Sequence, residues 1–202
     1  MMNIVYTVKN GLYLNITNRC PCSCVFCLRD KASGVYGSES LWLDYEPELS
    51  EVLSALSSVD INQYEEVVFC GYGEPTERLE LVLAVAREIK AINPSMPIRL
   101  NTNGLGDLIN SSSIASCFKG LIDTVSVSLN SSTPEQYCKV CRPSFGLQSW
   151  QAVIDFASCC CKYVPNVVLS IVGSPVTTIK EQEECKSIAD SIGATLRIRP
   201  CE

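Results

Sequence analysis

Residues 124–130 read Thr124-Val125-Ser126-Val127-Ser128-Leu129-Asn130, a strict alternation of apolar and polar side chains. In an extended strand successive side chains point to opposite faces, so Val125, Val127 and Leu129 share one face and Ser126, Ser128 and Asn130 the other. A strand buried under helices on both sides would be a continuous apolar run, and this one is not. The same split recurs at Leu12, Leu14 and Ile16 against Tyr13, Asn15 and Thr17, and at Ile98 and Leu100 against Arg99 and Asn101. Leu196 and Ile198 against Arg197 and Arg199 repeat it once more. One face of the sheet therefore meets helices, while the other is polar and carries three arginines.

Working outward, short β-rich runs occur at 12–16, 67–70, 98–101, 124–129, 167–172 and 195–198. Helical patterns lie between them. Leu49, Val52, Leu53 and Leu56 have the spacing of one helix face, and Leu79, Leu83, Ala86 and Ile89 form a second stripe. Thr133-Pro134 supplies a cap and a first helical residue, 147–162 reads as a helix, and a last helix at 179–191 stops at Gly193. Strand then helix, six times, predicts parallel crossovers of one hand. With a polar sheet face, that predicts an α/β fold built as a partial, open (β/α)6 barrel of parallel strands with a ligand-filled interior. An antiparallel sheet with one wet face is the weaker alternative, because helices separate the strands. Nothing in 1–202 reads as a linker or a repeat, so one domain is expected. The last predicted strand ends just before Glu202, which argues against an appended domain for auxiliary clusters.

Composition narrows the function classes. With 47% apolar and 19% charged residues the chain folds on an ordinary core. Its net charge of −6 and lack of a basic run argue against nucleic acid and against an anionic membrane surface. No apolar stretch approaches the roughly 18 residues of a membrane span, and the N-terminus lacks a basic n-region, so a cytoplasmic protein is expected. Thirteen cysteines then read as reduced thiols rather than a disulfide framework. The absence of histidine excludes His-ligated zinc and both Ser-His-Asp and Cys-His catalysis.

In such folds chemistry collects at the C-terminal ends of strands. Cys20-Pro21-Cys22-Ser23-Cys24-Val25-Phe26-Cys27 follows the first predicted strand and Gly71-Tyr72-Gly73-Glu74-Pro75 the second. Asn101-Thr102-Asn103-Gly104 closes the third, and Ser128 with Asn130 closes the fourth. Four thiols within eight residues bind soft metal, an iron–sulfur cluster or zinc. Cys20, Cys22 and Cys24 offer an alternative ligand set to Cys20, Cys24 and Cys27. Cys138 and Cys141 form a separate CxxC pair, fit for a redox disulfide or a second cluster. Cys159, Cys160 and Cys161 fan out at a helix end and read as inert packing.

Cys20-x-x-x-Cys24-x-x-Cys27, with Phe26 before its last cysteine, resembles the cluster loop of the radical S-adenosylmethionine (SAM) superfamily. Gly71-Tyr72-Gly73-Glu74-Pro75 is similar to that superfamily's glycine-rich segment, with Tyr72 set between the two glycines. The strings 13–18, 28–30, 69–75 and 101–104 are most similar to the TatD-associated radical SAM proteins. The resemblance implies a [4Fe–4S] cluster on Cys20, Cys24 and Cys27, with one iron left open for SAM. It implies reductive cleavage of SAM to a 5′-deoxyadenosyl radical, which takes hydrogen from a small molecule, a peptide or a partner protein. It also implies a reductant such as flavodoxin or ferredoxin. Gly71, Gly73, Glu74, Asn103, Ser126, Ser128 and Asn130 would bind SAM, and backbone near Phe26 would meet its adenine. Cys22 would be a bystander, and no catalytic residue is assigned. Arg99, Arg197 and Arg199 would hold an anion or pair with carboxylates. The segment 31–45, with Trp42, is expected to cover the mouth of the barrel. A closed set of four cysteines would instead make a non-catalytic iron–sulfur protein, for electron transfer or structure.

Overall fold

The structure is a computed structural model that describes residues 2–30 and 40–201. Among the described residues seven strands form one sheet in sequence order: β1 (Val5–Val8), β2 (Gly11–Leu14), β3 (Glu66–Phe69), β4 (Ile98–Thr102), β5 (Thr124–Ser128), β6 (Asn166–Val172) and β7 (Thr195–Arg199). β2 to β7 pair in parallel, and β1 runs antiparallel to β2. Because each parallel crossover advances one strand in the same direction with one hand, the helices collect on one face and leave the other concave. β1 and β7 are not paired with each other, so the barrel is open.

The helices are α1 (Leu49–Ser57), α2 (Leu79–Ile92), α3 (Gly106–Ile109), α4 (Pro134–Cys141), α5 (Gln148–Cys160) and α6 (Ile179–Ser191). Their apolar stripes meet the apolar parity of the strands: Leu14, Phe69, Leu100, Val125, Val127 and Leu169 are buried with Val82, Val85, Ile89, Val153 and Phe156. Each large apolar side chain so buried contributes about 1.5–3 kcal/mol. The local signals act as their chemistry dictates. The Thr133 side chain accepts from the Gln136 backbone to start α4, and a Thr178–Glu181 capping box starts α6. Gly193 follows α6 with φ of 77°.

The sequence reading missed β1. The strand–helix alternation it followed cannot register a hairpin, and here Lys9, at φ of 52°, turns the chain so that Val5 to Val8 cover the free side of β2. β3 also departs from alternation, since Val67, Val68 and Phe69 are all fully buried. Val68 lies between Tyr13 and Arg99 in register, and the Arg99 guanidinium donates to the Tyr13 hydroxyl at 3.1 Å, roofing Val68 on the inner face.

Candidate functional site

The concave face encloses a cavity of about 930 Å³. Tyr13, Arg99, Asn101, Ser126, Ser128, Arg197 and Arg199 line it from the strands, on the side the alternation assigns to them, and Ser170 joins them from β6. Cys20, Cys22, Cys24, Phe26, Cys27, Gly71, Gly73, Glu74, Asn103 and Asn130 line it from the segments that follow β2 to β5. Every position that the sequence marks for metal or SAM thus faces one space.

The cysteine loop is fastened to its neighbours by backbone. Ser23 and Val25 donate to the carbonyls of Cys141 and Val140 at 3.1 and 2.9 Å, and Ser144 donates to Pro21 at 2.8 Å. The stem before it is held by Arg19, which reaches Glu46 at 3.0 Å, while Arg78 meets the same carboxylate at 3.0 Å. Cys22 is the buried member of the four, and Cys20, Cys24 and Cys27 are partly exposed.

Cys141 joins them. The sequence treats Cys138 and Cys141 as a pair apart, whereas the fold brings the Cys141 thiol against Cys24, because α4 delivers it to the loop that its last residues anchor. Its donation to Cys24, helped by Cys22 and opposed by burial, holds the Cys24 thiol down at about 4. Cys20 is also lowered, chiefly by a hydrogen bond from Cys22. Cys22 is pushed up by its bonds to Cys20 and Cys24, and Cys141 is pushed up by its bond to Cys24. Cys27 is raised by burial. All thirteen cysteines are free thiols.

Glu74 is buried and serves as a hub. Its Oε1 accepts from the Thr76 backbone, the Thr76 hydroxyl and the Thr102 hydroxyl, and its Oε2 accepts from the Asn103 backbone at 2.6 Å. Burial pushes its carboxyl up against the downward pull of these bonds. Oε2 retains room for one more donor. Glu74 also caps the short turn Pro75–Arg78.

Close packing on the stem of the cysteine loop also requires the glycines. A Cβ on Gly71 would lie 2.0 Å from Asn15 Oδ1, and one on Gly73 would lie 2.3 Å from the Thr17 carbonyl. Both face the stem of the cysteine loop as well as the cavity. The described part of the expected cover, from residue 40 onward, is fixed to that stem: Asn15 Nδ2 donates to the Leu41 carbonyl at 2.7 Å and Trp42 stacks edge-on against Tyr72. Residues 31–39 of that expected cover lie outside the described residues.

Whether this site suits a cluster and a polar cosubstrate is answered by its donors. Among the described residues no three Cys, Asp or Glu side chains converge as ligands of one ion. A cluster asks less, since each thiolate need reach only its own iron. The Asn103 side chain donates toward Cys20 and Cys22 sulfur at 3.8 and 3.9 Å, an amide contact of the kind that tunes iron–sulfur sites. The buried Oδ1 atoms of Asn101 and Asn130 have no hydrogen-bond partner among the described residues, and both residues line the cavity. Orphaned acceptors there match a ligand rich in N–H and O–H groups, as SAM is. Asn130 holds φ of 56° while its Nδ2 donates to Cys141 sulfur.

An open parallel α/β barrel with clustered thiols at the C-terminal mouth and a polar chamber beneath defines a barrel protein built for a soft-metal cofactor beside a small-molecule ligand. A family model for the Radical SAM superfamily matches residues 14–188, and the chain belongs to that superfamily. Its cofactors are accordingly a [4Fe–4S] cluster and SAM. No curated protein matches the chain. Solved structures agree in fold. A radical SAM methyltransferase from Sphaerobacter thermophilus is 15% identical with a TM-score of 0.61, over 97% of this chain and 57% of its own. Methylornithine synthase (PylB) is 13% identical with a TM-score of 0.63, over 95% and 53%. The methyltransferase TsrM from Kitasatospora setae, with cobalamin and a [4Fe–4S] cluster bound, is 13% identical with a TM-score of 0.56, over 95% and 34%. The chain therefore spans between a third and somewhat over half of these proteins. No helix among the described residues is long and apolar enough to cross a membrane.

Proposed function

We infer that the chain, acting over 1–202 as a single radical SAM domain, is an enzyme that cleaves SAM reductively and abstracts hydrogen from a substrate, making it an oxidoreductase by mechanism. The substrate is a small molecule, a peptide or a partner protein. Cys20, Cys24 and Cys27 are the cluster ligands, and Cys22 is not. Bound there, the cluster and SAM supply one-electron cleavage and hydrogen abstraction, while the chain supplies position and exclusion of water. Glu74 Oε2 accepts from the SAM amine, and Asn103, Ser126, Ser128 and Asn130 meet its polar groups. Backbone at Gly71, Gly73 and Phe26 forms the remaining wall. A flavodoxin or ferredoxin in the cytoplasm is the electron donor in this reading. The string likeness to the TatD-associated radical SAM proteins is the subfamily assignment we favour.

One observation carries the reading: partly exposed thiols, the Gly71–Glu74 turn and the orphaned Asn101 and Asn130 oxygens line a single cavity. Cys141 beside Cys24 supports a second reading, a closed four-thiolate cluster for electron transfer or structure. Anaerobic reconstitution followed by dithionite and SAM separates them. The enzyme yields 5′-deoxyadenosine and its Cys24→Ala variant does not; equal product from both would sink the enzyme reading. Iron content and visible absorption should survive Cys22→Ala and Cys141→Ala, and should be lost in Cys20→Ala, Cys24→Ala and Cys27→Ala.

A further inference from the structure

We propose that the open edge of the barrel holds an anion seat, built by Arg197 with Ser170, and that the substrate is a small molecule or peptide segment bearing a carboxylate or phosphate there. The seat binds its anion whether or not SAM is cleaved; its assignment to the substrate rests on the function inferred above.

Register places Ser128, Ser170 and Arg197 in one row across β5, β6 and β7, on the inner parity of each strand. All three line the cavity. The Ser170 side chain is buried in the floor of that row, and Arg197 rises from the edge strand into the open side. Arg99, the other inward arginine, is consumed: it meets both oxygens of Glu66, at 3.0 and 2.5 Å, and the Tyr13 hydroxyl. Arg197 has no acidic partner among the described residues.

Arg199 follows two residues later on the same face, about 7 Å along the strand. Its side chain lines the chamber as well. A fork-shaped anion on Arg197 would form charge-assisted bonds to its guanidinium. The chain as a whole carries a net charge of −6, and Arg197 is an inward cation on an edge strand with no acidic partner among the described residues. The cavity of about 930 Å³ lies near the top of the range that encloses one drug-sized ligand, which leaves space for a small substrate beside SAM.

Isothermal titration at low ionic strength tests the seat with two probes, glutarate and inorganic phosphate, on the cluster-loaded protein without SAM or dithionite. Saturable binding of one or both is expected, weakened about tenfold by Arg197→Gln, the scale of one lost charge-assisted contact. Lys180→Gln removes an equal charge from the outer face of α6, where Lys180 is 85% exposed, and should leave binding unchanged. Glutarate binding alone identifies a carboxylate, and phosphate binding alone a phosphate. No saturable binding of either, or binding that Arg197→Gln leaves intact, overturns the proposal. So does a loss confined to SAM affinity, which would assign Arg197 to the cosubstrate. Anion binding without any 5′-deoxyadenosine production would overturn the inferred enzyme and leave the seat standing.

Discussion

The backbone N–H of Asn103 donates to Oε2 of Glu74 at 2.6 Å, so the turn after β4 hangs from a carboxylate that belongs to the turn after β3. The Thr102 hydroxyl reinforces the link at 2.7 Å. A single buried side chain thereby aligns two of the four segments at the mouth of the cavity. Glu74→Gln keeps the shape but turns an amide donor toward donors. We expect a loss of about 1–3 kcal/mol in urea unfolding, with the cost of an unsatisfied buried donor as its origin. An unchanged midpoint would show that the hub is dispensable.

Gly73 faces two carbonyls, with the Thr17 oxygen at 2.3 Å and the Arg19 oxygen at 2.7 Å from a built Cβ. Backbone cannot yield as a side chain can, so Gly73→Ala should displace the stem of the cysteine loop and cost about 1–3 kcal/mol or more. Gly120→Ala is the comparison. It has nothing within 4 Å of its Cβ and bears only the strain of φ at 75°, so it should cost about 1 kcal/mol. Chemical denaturation of the two variants decides whether crowding or conformation governs.

Cys141 sets the acidity of Cys24 in the cluster-free protein. Removing that donor by Cys141→Ala should move the midpoint of the Cys24 alkylation profile upward from about 4 toward the ordinary thiol range. Mass-resolved iodoacetamide labelling between about pH 4 and pH 8 measures the shift. A fixed midpoint would place the cause in Cys22, Arg29 or the loop backbone instead.

Cys185, fully buried on α6, has its thiol pushed up to about 12 by burial and by Glu181 and Glu184 nearby. The folded value lies above the unfolded value of about 8.5, so the unfolded chain releases this proton first. Its contribution to stability is therefore complete below about pH 8.5 and fades as pH rises toward the folded value. Wild type should lose more unfolding free energy than Cys185→Ala between about pH 8.5 and pH 10. Over the same range exposed Cys117 should label and Cys185 should not.

The alternation at 124–130 and its echoes at Tyr13, Arg99 and Arg197 were enough to place an apolar shell outside and a polar chamber inside, because period-two patterning is a property of each strand alone. The cysteine loop and the Gly71–Pro75 turn were legible for the same reason: each is a short contiguous string at the end of a strand. Other features had no local signature. β1 pairs by a hairpin that strand–helix alternation cannot register. Cys141 meets Cys24 only because α4 packs its C-terminus on a loop more than a hundred residues earlier in the chain. The two glycines answer to carbonyls of another segment, and Glu74 gathers donors from two turns. Which arginine is neutralised and which is left facing the chamber was likewise undecided, since Arg99 and Arg197 look alike in the string. Local backbone geometry assigns each side chain to the inner or outer face strand by strand, whereas which of the inward ones meet is set by packing between segments far apart in the chain.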